Sequence, residues 1–326
     1  MKPLPAPLNQ TSLPAIAAPM FLVSGPDLVI ECCKNGVVGT FPALNQRTSE
    51  GFEEWLIEIK AALNEFEQVT GKKAAPFGVN LIVHPTNTRL EEDVKLCVKH
   101  QVPLVITSLG AISLLVDTIH SYGGLVFHDI VKKRHAEKAA EAGVDGLILV
   151  SAGAGGHSGT INPMALIKDV RKVFDKTIVV AGSISTGQDI ATVLQMGADM
   201  AYMGTRFINT KESKAQEEYK KMVIESTSSD IVHTSSVSGI PANFMEASLS
   251  AAGIGPEDYA RTAKLDPGLD MNSEAKAWKT IWSAGHGVSA INDCPSTEEL
   301  IKRLHEEFEQ ALEIQQQRLN HYKQSK

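Results

Sequence analysis

Cysteine is scarce. Only Cys32, Cys33, Cys97 and Cys294 occur in 326 residues. They form no C-x-x-C pair and are too scattered for a disulfide scaffold, so neither a zinc knuckle nor a dithiol redox motif is readable. Adjacent Cys32 and Cys33 sit in a helical pattern and read as small packing residues. No apolar run approaches the roughly 18 residues that would span a bilayer. The N-terminal stretch MKPLPAPLNQ lacks the apolar core of a secretory signal, so a cytoplasmic, reduced setting is expected. A basic surplus is also missing. The 31 Lys and Arg against 38 Asp and Glu leave a net charge of −7, which argues against nucleic acid or an anionic membrane as partner. Disorder is not expected either, because 43% of the residues are hydrophobic, enough for a full core.

Several catalytic signatures are absent too. No G-x-G-x-x-G follows the first strand candidate, and no G-x-x-x-x-G-K-S/T occurs. A Rossmann dinucleotide site and a P-loop are therefore disfavoured. G-x-S-x-G is missing, which disfavours a hydrolase elbow. No pair of histidines or carboxylates has ligand spacing, so no metal is expected.

What is present is a rhythm. Short apolar, β-branched runs alternate with longer amphipathic ones. The strand candidates are Ala15–Pro19, Val37–Phe41, Phe77–Leu81, Leu104–Thr107, Leu125–His128, Gly146–Val150, Ile178–Ala181 and Met200–Met203. Helical patterns such as Pro26–Lys34, Glu50–Phe66, Leu90–His100, Lys132–Ala142 and Thr186–Met196 lie between them. Strands separated by helices form a parallel sheet, and nearly all-apolar strands have both faces covered. Eight such units in about 200 residues predict an α/β fold, a (β/α)₈ TIM barrel. Ala142-Gly143-Val144-Asp145 and Met196-Gly197-Ala198-Asp199 repeat one device, a helix end, a left-handed glycine cap and an Asp before the next strand. That device is read as structural. After Phe207 the alternation stops, and 210–275 reads as helical and loop-like with no further strand. The expected organisation is a barrel, 1–209 with 285–326, carrying a mostly helical substrate or cap domain at 210–284. A final helix over 296–320 opens on a Ser296–Glu299 capping box and buries a stripe from Leu300 to Leu312.

Function in such a barrel sits at the C-terminal ends of its strands. The seventh candidate ends in Gly182-Ser183 and the eighth in Gly204-Thr205. Backbone N–H groups there suit a phosphate monoester, with tight turns as the alternative. The sixth candidate ends in a loop where Gly153, Gly155, Gly156 and Gly159 flank His157. The glycines let backbone run close to a flat ligand and leave the imidazole projecting, a candidate acid or base with a pKa near 6.5. His128-Asp129 reads equally as an interior hydrogen-bonding pair, with His128 facing the barrel interior, and as a ligand-orienting one.

Taken in order, Ala18-Pro19-Met20, Pro76-Phe-Gly-Val-Asn80, His128-Asp129, Ala154-Gly-Gly-His157-Ser-Gly159, Met203-Gly-Thr-Arg-Phe207 and Trp282-Ser-Ala-Gly285 resemble the nitronate monooxygenases, formerly called 2-nitropropane dioxygenases. Each piece is weak; their order and strand placement are specific, and they span about residue 13 to 290. The resemblance implies flavin mononucleotide (FMN) across the barrel mouth. Ala18, Pro19 and Met20 would line the ring system with Asn80 and Asp129 nearby, Gly155 and Gly156 would pass under it, and Gly182, Ser183, Gly204 and Thr205 would hold its phosphate. His157 matches the family's histidine, as base or substrate-positioning group. The Trp282–Gly285 motif carries no assigned chemistry, and packing of the insert is its default reading. Two positions depart from some relatives, which carry a lysine in place of Asp129 and Gly-Gly in place of Ser183-Ile184.

The implied activity is oxidation of alkyl nitronates, such as propionate 3-nitronate, by dioxygen to a carbonyl compound and nitrite. The alternative is an NAD(P)H-dependent flavin reductase of quinones or enoyl thioesters, since fold does not decide between them. A barrel for a phosphorylated metabolite and a flavin module without turnover complete the range. Whether the chain forms a homodimer is open.

Overall fold

The computed structural model describes residues 3–108, 113–262 and 280–324. The strands run in chain order as β1 (Ala15–Ala17), β2 (Val38–Pro42), β3 (Phe77–Ile82), β4 (Leu104–Ser108), β5 (Leu125–Ile130), β6 (Gly146–Val150), β7 (Gly156–His157), β8 (Thr177–Ala181), β9 (Met200–Met203), β10 (Ile231–Thr234) and β11 (Ala242–Met245). Eight of them, β1 to β6 with β8 and β9, close a parallel barrel. Closure is made by β1 against β9, with Ile16 opposite Tyr202. The (β/α)₈ expectation is met.

Strand alternation sorts the barrel residues into two sets. Ile16, Leu104, Ile106, Phe127, Ile148, Val179 and Met200 fill the interior, and Leu8 of the N-terminal segment packs with them. Residues one step along, such as Ala17, Val105, Val126, Leu147 and Ala201, pack with the surrounding helices. At the C-terminal end the interior row turns polar. Asn80, Ser108, Asp129 and Tyr202 each stand two residues beyond an inward residue, so they form a polar lid over an apolar barrel. Asp129 therefore lies inside β5, opposite Ile148, not after the strand. His128 belongs to the outward row between Val126 and Ile130, which corrects its expected place in the interior.

The repeated βα device is structural, as read. Gly143 and Gly197 have φ of +88° and +104°, a conformation that costs a residue with a Cβ. The carboxylates that follow clamp the preceding strand. Asp145 Oδ2 accepts from Val126 N at 2.9 Å, and Asp199 Oδ2 accepts from Ile178 N at 2.8 Å.

Helices labelled here are α1 (Pro26–Lys34), α2 (Ser49–Thr70), α3 (Leu90–Lys99), α4 (Ser113–His120), α5 (Lys133–Glu141), α6 (Pro163–Val170), α7 (Gly187–Gln195), α8 (Thr205–Ile208), α9 (Glu217–Glu225), α10 (Glu246–Ala251) and α11 (Thr297–Gln324). The capping box at the head of α11 forms, with Ser296 N donating to Glu299 at 2.9 Å and Glu299 N to Ser296 Oγ at 3.2 Å. The α11 stripe holds only in its first half. Leu300 and Leu304 are buried, whereas Leu312 is exposed, and the helix continues to Gln324.

The 210–284 stretch differs from expectation. It contains α9 and α10, but also the antiparallel hairpin β10–β11, and β11 pairs in turn with β7 of the His157 loop. Residues 263–279 of that stretch lie outside the described residues. Its return to the barrel is pinned by charge. The buried Arg206 meets Asp293 at 2.7 Å, and Asp293 also holds Arg303 at 2.7 Å. Removing one partner of a fully buried pair costs about 3–5 kcal/mol. Asp293 keeps 35% of its side chain exposed, so Asp293→Ala is expected to cost about 2 kcal/mol. Urea unfolding measures it, and an unchanged midpoint would show that the bridge adds nothing.

Candidate active site

A cavity of about 1700 Å³ opens at the C-terminal end of the barrel. Every residue singled out in the sequence for cofactor contact lines it: Ala18, Pro19, Met20, Asn80, Asp129, Gly155, Gly156, Gly182, Ser183, Gly204 and Thr205, together with His157. Ala18, Pro19 and Met20 follow β1 as loop, because the strand ends at Ala17. Gly182 and Ser183 follow β8 with φ of +129° and +56°, so two successive left-handed residues fold the chain back sharply. Gly204 and Thr205 open the short α8. These sites share one rim because β1, β8 and β9 are adjacent in the barrel.

His157 is placed differently from a projecting loop residue. It lies on β7, paired with Ala242 of β11. Burial pulls its pKa down to about 4, so the imidazole is neutral at ordinary pH. That replaces the pKa near 6.5 expected for an open side chain. The strand is held by a residue the sequence did not reveal. Asn243, buried on β11, donates from Nδ2 to Ala154 O at 2.7 Å and accepts from His233 Nδ1 at 3.0 Å. Asn243→Ala leaves a buried carbonyl unpaired, which costs about 1–3 kcal/mol. A lowered melting temperature and reduced protection of the 154–158 amides from hydrogen exchange are the expected signs. Unaltered exchange would remove Asn243 from this role.

The glycines of the loop have a purpose beyond ligand approach. A Cβ on Gly155 would stand 2.9 Å from Gly285 N and 3.0 Å from Ala284 C. The Trp282–Gly285 segment thus runs directly against the His157 loop. It is fixed on three sides: Trp282 stacks on Tyr219 with centroids 5.1 Å apart, the Tyr219 hydroxyl donates to Ser283 O, and Gly285 N donates to Thr205 Oγ1 at 2.9 Å. Packing of the insert against the barrel, the default reading of the motif, is what it does. Tyr219 was not legible beforehand, because its partners lie more than sixty positions away.

Across the cavity floor, Asn80 Nδ2 donates to Ser108 Oγ at 2.9 Å, and Ser108 donates to Asp129 Oδ2 at 2.5 Å. Burial lifts the Asp129 carboxyl to about 6, with the Ser108 bond working against the rise. His128 shares a 2.8 Å hydrogen bond with Thr107 Oγ1, and burial lowers it to about 4. Ser108, Thr107 and Tyr202 were missed. The signal for Ser108 and Tyr202 was available, a polar side chain at the last inward position of a strand.

Arg47, Arg89 and Lys138 also line the cavity, where Asp129 is the one carboxylate among the described residues. The lining thus runs opposite to the net charge of the chain. Among the described residues no group of three or more His, Cys, Asp or Glu is arranged to hold a metal ion. No described helix is long and apolar enough to cross a membrane.

An eight-stranded (β/α)₈ barrel with a ligand cavity at its C-terminal mouth is an enzyme architecture. The profile of the nitronate monooxygenase family matches residues 4–307, and the chain belongs to that family. A nitronate monooxygenase of Pseudomonas aeruginosa is 25% identical, over 90% of this chain and 96% of that protein. An octahydroindene-carboxyl-CoA dehydrogenase of Rhodococcus jostii is 26% identical over 72% of this chain and 63% of the enzyme. Alignments with four of the curated relatives span only 46% to 64% of their lengths. In three dimensions the chain is similar to FabK from Thermotoga maritima, with a TM-score of 0.78, 21% identity and 97% of each chain covered.

Proposed function

We propose that this protein uses FMN to oxidise small alkyl nitronates with dioxygen, releasing a carbonyl compound and nitrite. The observation that carries this reading is the neutral His157, held by β11 on the rim of the barrel cavity. The residues present fit a flavin. The cavity has a polar floor of Asn80, Ser108 and Asp129, and a Cβ on Gly204 would come no nearer than 3.6 Å to a neighbouring atom. Ala18, Pro19 and Met20 would face the ring system, Gly155 and Gly156 would border it, and Gly182, Ser183, Gly204 and Thr205 would take the phosphate. Bound there, the flavin supplies the electron acceptor that no side chain provides.

The chain itself contributes binding and orientation. A nitronate is an anion with negative charge on its nitro oxygens. The neutral imidazole of His157 donates a hydrogen bond to such an oxygen, or takes a proton when the neutral nitroalkane arrives. Arg47 and Lys138 favour entry of an anion into an otherwise acidic molecule. The stacked Tyr219–Trp282 pair closes one side against water. The barrel, 1–209 with 285–326, holds the cofactor, while 210–284 covers the substrate. We place the reaction in the cytoplasm with small molecules as its only substrates. The experiment is to feed propionate 3-nitronate to the FMN-loaded protein and follow oxygen and nitrite together. Nitrite appearing in step with oxygen uptake supports the reading; no nitrite from any short-chain nitronate overturns it.

A second reading is an NAD(P)H-dependent reductase of quinones or enoyl thioesters. The cationic lining favours it, because a nicotinamide nucleotide and a thioester on a phosphate-bearing carrier are both large polyanions. The carboxyl-CoA dehydrogenase relative points the same way.

A further inference from the structure

Asp129 presents an unsolved problem in charge. It sits in the last inward position of β5, in the polar lid over the apolar barrel interior. Its Oδ2 accepts the Ser108 hydroxyl at 2.5 Å. Its Oδ1 is buried and has no hydrogen-bond partner. An ionised carboxylate with one buried, unpaired oxygen is costly, whereas a proton on that oxygen turns it into a donor. Asp129 lines the cavity while Oδ1 itself is enclosed, so a half-turn of the protonated carboxyl about χ2 would bring the donor towards a ligand that covers the floor and leave an oxygen for Ser108.

We propose that Asp129 is a proton-carrying binding residue: it takes up one proton when the cofactor binds and donates it as a hydrogen bond to an acceptor on the ring system. The inference rests on the reading that this cavity holds a flavin, whose ring carries carbonyl and nitrogen acceptors.

The surroundings leave the proton to Asp129. Ser108 spends its hydrogen on Oδ2 and accepts from Asn80, so it has none for Oδ1. Tyr202 on β9 is pushed up by burial and by the charge of Asp129, so it stays protonated. His128 on β5 and His157 on β7 are both lowered to about 4 by burial and stay neutral. His135 on α5 is lowered by burial and by Lys132 and Lys138. The cations of the lining are Arg47, Arg89 and Lys138; Arg89 is engaged by Asp93 at 3.0 Å, and no described cation pairs with Asp129. Burial alone raises the free carboxyl to about 6, and covering it with a ring removes more water and raises it further. The sign follows. Binding is strongest where Asp129 is already protonated and weakens as pH climbs above about 6.

The test is flavin titration of the cofactor-free protein across pH, read by quenching of flavin fluorescence. Riboflavin is used beside FMN, because it lacks the phosphate that titrates in the same range. Wild-type affinity for riboflavin is expected to fall at least ~10-fold between about pH 6 and pH 8. Asp129→Asn keeps an oxygen for Ser108 and carries a permanent N–H, so its affinity stays flat. Calorimetry near neutral pH, in two buffers of different ionisation enthalpy, is expected to show about one more proton taken up by wild type than by the variant. Parallel pH profiles or equal proton counts overturn the inference while leaving the flavin site standing. Absence of flavin binding at every pH overturns the cofactor reading and this inference with it. Should Asp129→Asn not fold, the wild-type riboflavin proton count decides, and zero uptake overturns the proposal.

Discussion

Replacing His157 by Asn is expected to lower turnover on a nitronate by about 100-fold or more, while the protein keeps its flavin. The two effects separate because the phosphate is assigned to Gly182, Ser183, Gly204 and Thr205 on the β8 and β9 side of the mouth, and Gly155 and Gly156, next to His157, would border the ring with backbone that the substitution leaves in place. The pH profile sharpens the expectation. With its folded pKa lowered to about 4, the imidazole is neutral above that value and becomes charged only below it. The acid limb of activity due to His157 is therefore expected near pH 4, not at the 6.5 of a free histidine. The same shift bears on stability. A histidine buried neutral contributes stability that is fully present above its unfolded pKa and is lost as pH falls towards the folded value. Steady-state rates of wild type and variant, measured from acid to neutral pH, check both points. Equal turnover in the two proteins would remove His157 from the chemistry.

A second large effect is expected at Gly285. A Cβ there would press into Gly153 O and stand 2.9 Å from Gly155 N. Both are backbone atoms on the His157 loop and cannot rotate away. Gly285→Val must push the return segment off that loop and break the Gly285 N to Thr205 Oγ1 bond. Overpacking of this kind costs about 1–3 kcal/mol, and the lost hydrogen bond adds about 1 kcal/mol. Since Thr205 is assigned to the phosphate and the loop carries His157, the variant is expected to lose flavin affinity and turnover together, with a melting temperature several degrees lower. Thermal unfolding with and without FMN measures it. A variant with native stability and full flavin affinity would mean that the insert and the loop are not coupled through this contact.

These two positions were unequally legible. Barrel strands are nearly continuous apolar runs because both of their faces are covered, and that pattern gave away all eight with small errors at their ends. The error at β5 had a cause: Asp129 is polar, so the run looked finished at His128, while the alternation continued inward. The hairpin β10–β11 stayed hidden for a different reason. Each strand is four residues long and contains polar residues such as His233 and Asn243, and the edge it completes lies about 85 positions earlier, at Gly156–His157. Nothing local in the sequence marks such a pairing. The glycines around His157 were visible, but half of their purpose was not, since Gly155 is small for Gly285 as well as for a ligand. The lowered pKa of His157 was likewise invisible, because it depends on what the insert buries.

In the proposed reaction, electrons enter this barrel from a nitronate. The direct measurement is anaerobic. FMN-loaded protein is mixed with propionate 3-nitronate in one vessel and with NADH or NADPH in another, and the flavin absorbance is followed. Bleaching by the nitronate, with indifference to both nicotinamides, is the predicted result. Rapid bleaching by NADH or NADPH, with no response to the nitronate, would contradict it and make the protein a reductase.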